Sequence, residues 1–570
     1  MDNKSIIKAL RKVSALMELH GENPFKTRGY TNAVFTIERT ETRLAELSQE
    51  ELEGMEGIGK SLAKSIAALI ETGEMPVLQE YLDQTPAGVV EMLDIKGIGP
   101  KKIRTIWQEL GIETTAGLLQ ACEEGQIAKL KGFGEKTQET IRQALLFTAA
   151  MAGKYHYAEV EDNAAALLKE LREALGTDKI ELVGDMRRYM EIIEDLRLLV
   201  ATEDIPSAFA KAATLDAIKV DEVISGPFVL RGTWVTMDLP FTLFACPEAR
   251  FGSELVRHTG SGRHLAAEVK ENLSLMAYAT GNDHSTEAEV YKALEMDTIP
   301  AAMREGLLEL ELAREQKLPS LVQESDLRGI LHNHSTYSDG KHTLREMAEH
   351  CKELGYEYLG ISDHSKSAFY ANGLDEDRII KQHKEIDELN KELAPFRIFK
   401  GIESDILADG SLDYADDVLA SFDFIVSSVH STLNMDQAKA TKRLITAIEN
   451  PYTTILGHPT GRLLLRREGY PIDHQAVIDA CAEHGVIIEI NANPWRLDLD
   501  WRWVGYALEK GVQIAINPDA HEKDGYHDMR YGLLVGQKAG LTADMTFNAL
   551  GTDAVADWFE KRKERSTQKA

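Results

Sequence analysis

The sequence predicts three architectures in one chain: a helical N-terminal region, an α+β middle, and a closed or nearly closed C-terminal barrel of seven βα units. Three observations carry this. The chain has 570 residues, whereas single cores stop growing near roughly 250–300 residues. A Gly-apolar-Gly turn that opens a helix recurs three times in the first 150 positions. From 328 onward, short apolar runs alternate with helical stretches, the pattern of βα units around a parallel sheet.

The elements follow in order. The opening MDNKSIIKALRKVSALMELHG reads as an amphipathic helix, without the apolar core and cleavage site of a signal peptide. The repeated turns are GIGKSLAKSI at 57–66, GIGPKKIRTI at 97–106 and GFGEKTQETI at 132–141. Small residues let a backbone approach a phosphate, and the N–H groups of the following helix start then bind it regardless of base sequence. Gly57, Gly59, Lys60, Gly97, Gly99, Lys101, Lys102, Gly132 and Gly134 are therefore candidate contacts to a DNA backbone. Residues 151–315 mix helices with the strand candidates IELVG (180–184), LRLLVA (196–201) and TWVTMDL (233–239), and EQKLPSLVQESD at 315–326 reads as a linker. Beyond it, strands end near 332, 362, 402, 429, 457, 490 and 517. In a βα barrel, function collects at those C-terminal strand ends. The basic tail EKRKERSTQKA at 560–570 is expected to be disordered.

Composition sets limits. Hydrophobic content of 43% and charged content of 28% fit a globular protein, and no run of about 18 apolar residues could span a bilayer. Four widely spaced cysteines, with no CxxC, indicate neither a disulfide framework nor a thiolate zinc site, and fit a reducing cytoplasm. The net charge of −29 argues mildly against nucleic acid as a partner, although local groups can hold a phosphodiester on an acidic protein.

Six of the 17 histidines stand at the strand ends: His332, His334, His364, His430, His458 and His521. Asp339, Asp363, Glu403 and Asp519 stand with them. The i, i+2 spacing of His332/His334 and Asp519/His521 puts each pair on one face of a strand, so the set converges on one barrel mouth. Imidazole and carboxylate without thiolate suit zinc, manganese or iron. So many ligands could hold more than one ion, and paired ions can clamp the attacking and leaving oxygens of a phosphoryl displacement. His258, His264, His383 and His527 are read as ordinary structural residues.

LHNHSTYSDG (331–340), ISDHS (361–365), GIESD (401–405), SSVHS (427–431), GHP (457–459), EINANPWRLDL (489–499) and INPDAH (516–521) resemble the polymerase and histidinol phosphatase (PHP) domain, and more closely the C-terminal PHP domain of bacterial family X DNA polymerases. The resemblance implies a (β/α)7 barrel with three divalent metal ions. His332, His334, Glu403 and Asp519 would hold the first, Glu403, His430 and His458 the second, and Asp339, His364 and His521 the third. His332, His334, Glu403, Asp519 and His521 would form the catalytic core, with Asp363 in a supporting role. It also implies 3′→5′ exonuclease activity, often with abasic-site endonuclease action and removal of 3′-blocking groups, on gapped, nicked or 3′-recessed DNA in the bacterial cytoplasm. Arg462, Arg466 and Arg496 are candidate phosphate contacts in or beside the motif loops.

The repeated turns resemble helix-hairpin-helix motifs, and GENPFKTRGYTNA at 21–33 resembles the opening of the family X N-terminal domain. The implied division is 1–80 a DNA-binding helical domain, 81–150 helix-hairpin-helix fingers, 151–245 a nucleotidyltransferase-like palm, 246–315 a thumb, 316–326 a linker and 327–570 the PHP domain. The palm departs from the family pattern. Asp-x-Asp becomes Asp195-Leu196-Arg197, the Ser that would meet a triphosphate is Asp185, and the Tyr-Phe pair of the nucleotide pocket is Arg257-His258. Arg cannot ligate Mg²⁺, so Mg²⁺ binding and templated polymerisation are not expected there. Asp238 is expected as the third acid on a strand, and Arg197 is expected to pair with Asp195 or Asp238. The competing readings are a gap-filling polymerase, a small-molecule phosphatase of histidinol phosphatase type, and a non-catalytic DNA scaffold.

Overall fold

The computed structural model describes residues 1–569 apart from 2, 39, 41 and 96, with side chains through Glu564. The chain divides into two units, Met1–Ala152 and Gly153–Ala570. No helix among the described residues is long and apolar enough to cross a membrane, and all four cysteines are buried and free.

The first unit is helical. Its opening helix α1 (Asn3–His20) buries Ile6, Leu10, Val13 and Met17 in one core, and Leu16 and Leu19 in a second core formed with residues 89–145. Such i, i+3, i+4 spacing is what an amphipathic helix needs to join two layers. Each Gly-apolar-Gly turn does open a helix: α2 (Lys60–Thr72), α3 (Pro100–Leu110) and α4 (Glu135–Met151), with Gly59, Gly99 and Gly134 as the N-cap residues.

The second unit begins with a five-stranded mixed sheet: β1 (Ile180–Val183), β2 (Leu196–Ala201), β3 (Ile218–Val220), β4 (Val229–Trp234) and β5 (Leu239–Cys246), in the order β1-β2-β5-β4-β3. The TWVTMDL segment differs from expectation. It is not one strand but the end of β4, a turn and the start of β5, and Asp238 lies exposed in that turn at φ 50°. The strand position paired with Arg197 is Thr242, so no acid from β5 stands opposite it.

The barrel consists of β6 (Gly329–Ile330), β7 (Tyr358–Ile361), β8 (Arg397–Asp405), β9 (Phe424–Ser428), β10 (Ile455–Leu456), β11 (Ile487–Asn491) and β12 (Ile514–Asn517), all parallel and in sequence order. Its first and last strands meet through the Asn333–Ala520 bridge and the Leu331 N–H donated to Asn517 Oδ1 at 3.0 Å. One apolar layer lies between sheet and helices. A second fills the barrel interior around Tyr358, Phe399 and Phe424, where Phe559 of the last helix, α5 (Thr552–Lys569), stacks on Phe424. The tail expected to be disordered is thus helical through Lys569, and Arg562 donates to the carbonyls of Thr453, His484 and Gly485. The segment read as a linker is also tied down: Val322 is fully buried and its N–H donates to Leu541 O at 2.9 Å.

Candidate metal centre

The strand ends bring the histidines and acids together around Glu403, which is fully buried at the end of β8. Its Oε1 lies 3.2 Å from His332 Nε2, 3.2 Å from His430 Nε2 and 3.0 Å from His458 Nε2. Its Oε2 lies 2.9 Å from His364 Nδ1 and 3.6 Å from His334 Nε2. Asp519 Oδ1 stands 3.1 Å from His334 Nε2 and 3.5 Å from His332 Nε2. At the more open rim, Asp339 Oδ1 lies 3.4 Å from His521 Nε2 and 3.8 Å from His364 Nε2. Among the described residues three groups have ligand atoms within 4.8 Å of one another: His332/His334/Glu403/Asp519, His364/Glu403/His430, and His334/Asp339/His364/His521. His458 joins the middle group through its 3.0 Å approach to Glu403.

Local backbone serves the convergence. His458 and Asp519 both hold positive φ, 24° and 54°, a region costly for residues with a Cβ and found where a site over-determines the chain. Asp363 does not face the centre. It accepts hydrogen bonds from Ser335 N (2.8 Å), Ser335 Oγ (2.7 Å), Ser338 Oγ (2.6 Å) and Gln382 Nε2 (2.6 Å), fixing the loop after His334. Burial pushes its pKa up, against those donors.

Two carboxylates not singled out by residue in the sequence orient the histidines. Glu489 accepts from His332 Nδ1 at 2.7 Å, and Asp405 pairs with His430 Nδ1. Both lie inside the EINANP and GIESD motifs, so motif membership was their only signal. Each fixes an Nδ1–H tautomer and leaves an Nε2 lone pair aimed at Glu403. His332 Nε2 and Glu403 Oε2 are buried with no hydrogen-bond partner. Lone pairs facing carboxylate oxygens at these distances repel unless a cation lies between them, so the donor set fits divalent metal ions. The field agrees. Burial works to raise the Glu403 carboxyl, yet His430, His332 and His364 hold it well below the usual range. For His334, burial followed by the neighbouring His521 and His364 lowers the ring to about 3.

The three arginines separate. Arg496 Nε stands 3.7 Å from Asp519 Oδ2, facing the centre. Arg462 is spent on its own loop, donating from Nε to Arg496 O at 2.9 Å and also to Leu497 O and Asp500, so it is not a free phosphate donor. Arg466 stacks over Trp495 at 5.6 Å. In the palm, Arg197 donates to Asp195 Oδ2 from Nε at 3.0 Å and Nη2 at 2.5 Å. Asp185 pairs with Arg188, Arg257 donates to Glu254 at 2.6 Å, and His258 stacks on Phe244 at 3.7 Å. His264 is a satisfied core residue, 2.7 Å from Glu309 Oε1 and 3.2 Å from Tyr291 Oη.

In unit one, Gly57, Gly97 and Gly132 adopt φ of 78°, 85° and 85°, which only glycine enters freely. Gly59, Gly99 and Gly134 are different: their φ values are −79°, −91° and −161°, and a Cβ on any of them would meet nothing within 4 Å. Neither backbone nor packing demands glycine there. Lys60 and the Lys101–Lys102 pair lie in the first turns of α2 and α3, with Lys101 Nζ 3.6 Å from Glu18 and Lys102 over the Phe133 ring at 5.4 Å. The third helix, α4, instead opens with Glu135.

Comparison with known proteins finds three family matches along the chain. Residues 1–75 match the helix-hairpin-helix domain family, 89–145 the SAM-like helix-hairpin-helix tandem, and 331–493 the PHP domain. The chain is 35% identical over 567 residues to the DNA polymerase/3′-5′ exonuclease PolX of Bacillus subtilis, covering 96% of this chain and 98% of that protein. A probable phosphatase of Thermoanaerobacter sp. is 27% identical over 245 residues, 41% of this chain and 95% of its own length. One from Clostridium acetobutylicum is 28% identical over 201 residues, 34% of this chain and 78% of its own. The chain is a DNA-binding, divalent-metal-binding member of the PolX family, with two helix-hairpin-helix regions and a C-terminal PHP domain.

Proposed function

We propose that this chain is a metal-dependent phosphoesterase that trims DNA from 3′ ends, and that its palm no longer transfers nucleotides. The observation that carries the first half is Glu403, one buried carboxylate approached by His332, His334, His364, His430 and His458 with lone pairs that need cations. Three ions, zinc, manganese or iron, would be held by His332/His334/Glu403/Asp519, Glu403/His430/His458 and Asp339/His364/His521. Such ions activate water and neutralise charge on a phosphodiester in flight. The chain's own groups do the rest. Glu489 and Asp405 hold the ring tautomers, Asp363 fixes the loop behind His334, and Arg496 meets the phosphate beside Asp519. The relative from Bacillus subtilis, whose name records a 3′-5′ exonuclease, supports this substrate class over the phosphatases matched by the barrel alone.

The palm reading rests on Arg197, which occupies a metal-acid position, and on Thr242 opposite it. Gapped, nicked or 3′-recessed ends in the cytoplasm are the substrates this reading favours. Manganese with a labelled gapped DNA tests both halves, run with and without dNTPs beside a His332→Ala/His334→Ala control. Shortening that the double variant abolishes is the expected result. Primer growth with dNTPs would overturn the palm reading, and an unchanged primer the nuclease reading.

A further inference from the structure

Residues 365–374 form a loop that leaves and rejoins the sheet beside His364: Leu374 N–H donates to His364 O at 2.9 Å, and Ser365 bridges to Leu374. Both limbs are fixed. Ser367 N donates to Asp413 Oδ2 at 2.6 Å and Ser367 Oγ to Asp405 Oδ2 at 2.8 Å. Asn372 Nδ2 reaches Tyr337 O at 3.3 Å and Ser338 O at 3.2 Å, and Arg378 Nη1 reaches Asn372 O at 2.8 Å. Gly373 passes so close to Ser365 that a Cβ would fall 1.9 Å from its carbonyl oxygen.

On this anchored frame the tip (Phe369–Ala371) presents two adjacent aromatic rings to solvent. Phe369 is 88% exposed and Tyr370 71%, while Ala368 and Ala371 beside them are buried. Large rings are normally covered, and paired exposed ones mark a surface for a flat apolar ligand. The Tyr370 ring lies 6.3 Å from the His364 ring, about the reach between a nucleotide's base and its phosphate, and Lys366 at the loop's start pairs with Glu376 at 2.8 Å. Every base offers a π-face, and single-stranded nucleic acid is held by aromatic stacking next to cationic groups. Because the loop is already ordered, little entropy opposes the contact.

We propose that Phe369 and Tyr370 form a stacking platform for the terminal nucleobase of a single-stranded DNA 3′ end, placing its phosphodiester over Glu403 and the histidines. The platform rests on the nuclease reading. It also explains how a sequence-independent trimming site can select a nucleotide over a small phosphate ester, since a small ester has no base to stack.

The test irradiates the metal-loaded full chain with a DNA oligonucleotide ending in 5-iodo-2′-deoxyuridine behind a phosphorothioate linkage that resists cutting. The expected result is a crosslink to residue 369 or 370 in the wild type, lost in F369A/Y370A and kept in F369W/Y370W. A crosslink mapped elsewhere, or unchanged in F369A/Y370A, overturns the platform. Kinetics give a second arm: KM for an ordinary single strand rises about tenfold in F369A/Y370A, the size expected from losing one base–aromatic stack. A strand with an abasic 3′ terminus has that higher KM already in the wild type and loses little more in the variant. Losses that simply add also overturn the platform. A wild type that trims DNA while those losses add leaves the nuclease reading standing. One that trims nothing removes that reading, and the crosslink still decides the platform.

Discussion

Glu403 faces five imidazoles, and for two of them, His332 and His430, a neighbouring carboxylate decides where the ring's proton sits. Glu489 is the clearest case: it accepts from His332 Nδ1 at 2.7 Å and from the His458 backbone N–H at 3.2 Å, steadied by Asn491 and Asn517. Glu489→Gln keeps the shape but weakens that acceptor, so metal affinity should fall about 10–100-fold, the usual cost of losing an orienting partner. Competition against a chromogenic chelator measures it; unchanged affinity would remove the orienting role. Charge is managed as tightly away from the centre. Glu287 takes Arg187 at 2.7 Å and 2.8 Å and pairs with the buried Arg304. Burial works to raise its carboxyl, but Arg304 and Arg187 together bring it down to about 2. A depressed folded-state pKa means the stabilisation is complete above the unfolded value near 4.5 and is lost as pH falls toward 2. The Glu287→Gln variant should lose about 3 kcal/mol at neutral pH and show a flatter acid limb in circular-dichroism unfolding. An acid limb identical to the wild type would assign that pH dependence to other carboxylates. Histidine spacing made the ligand candidates legible in the sequence. The orienting acids were not, because one more acid in an apolar strand carries no periodic signal.

At the scale of elements, the repeated turns and the barrel strands were legible for one reason: each is a local pattern, glycine before a helix start or an apolar run before a helix. TWVTMDL failed because a tight β-turn between two strands keeps the same alternating composition as one strand. Position rather than composition put Asp238 in the turn and Thr242 opposite Arg197. The expected Arg197–Asp195 pair does form, but Arg197 is 47% exposed, and solvent screening leaves such a pair little stabilising value. The helix-opening glycines give the sharper prediction. Since a side chain at Gly99 would meet nothing and its φ of −91° suits any residue, Gly99→Val should change thermal stability by less than about 1 kcal/mol. It should still weaken DNA binding, because the branched side chain keeps a phosphate from the α3 N–H groups. Lys60→Ala and Lys101→Ala should each lower the slope of log affinity against log salt by about one. Fluorescence anisotropy over a salt series checks all three; a Gly99→Val variant that binds normally would leave the glycine without a DNA role.

At the scale of the whole second unit, the palm grips the barrel at the rim where the candidate phosphate arginine sits. The contacts of His156 and Glu191 with the barrel join residues more than 300 positions apart, beyond any local reading of the sequence. His156, packed edge-on against Trp495 at 4.1 Å, reaches Leu464 O with Nε2 at 3.0 Å. Glu191 accepts from Trp501 Nε1 at 3.1 Å and Arg502 Nη1 at 2.8 Å. Arg502 holds Asp500, Asp500 holds Arg462, and Arg462 holds the carbonyl of Arg496, whose guanidinium faces Asp519. On the proposed reading, a palm that no longer transfers nucleotides still has a mechanical task, fixing the loop that carries Arg496. Charges in the same interface, Lys538 with Glu305 and Arg188, are buried and could not be left unpaired cheaply. His156→Ala and Glu191→Gln lie outside the metal groups, so metal affinity should stay within about twofold while activity falls roughly tenfold, the scale of a misplaced positioning group. The loss should appear more in KM for a phosphodiester than in kcat, because on the proposed reading Arg496 meets the phosphate and not the attacking water. Equal losses in metal affinity and activity would mean that the palm supports the barrel as a whole. No loss in either would leave the palm with no part in the chemistry at the barrel rim.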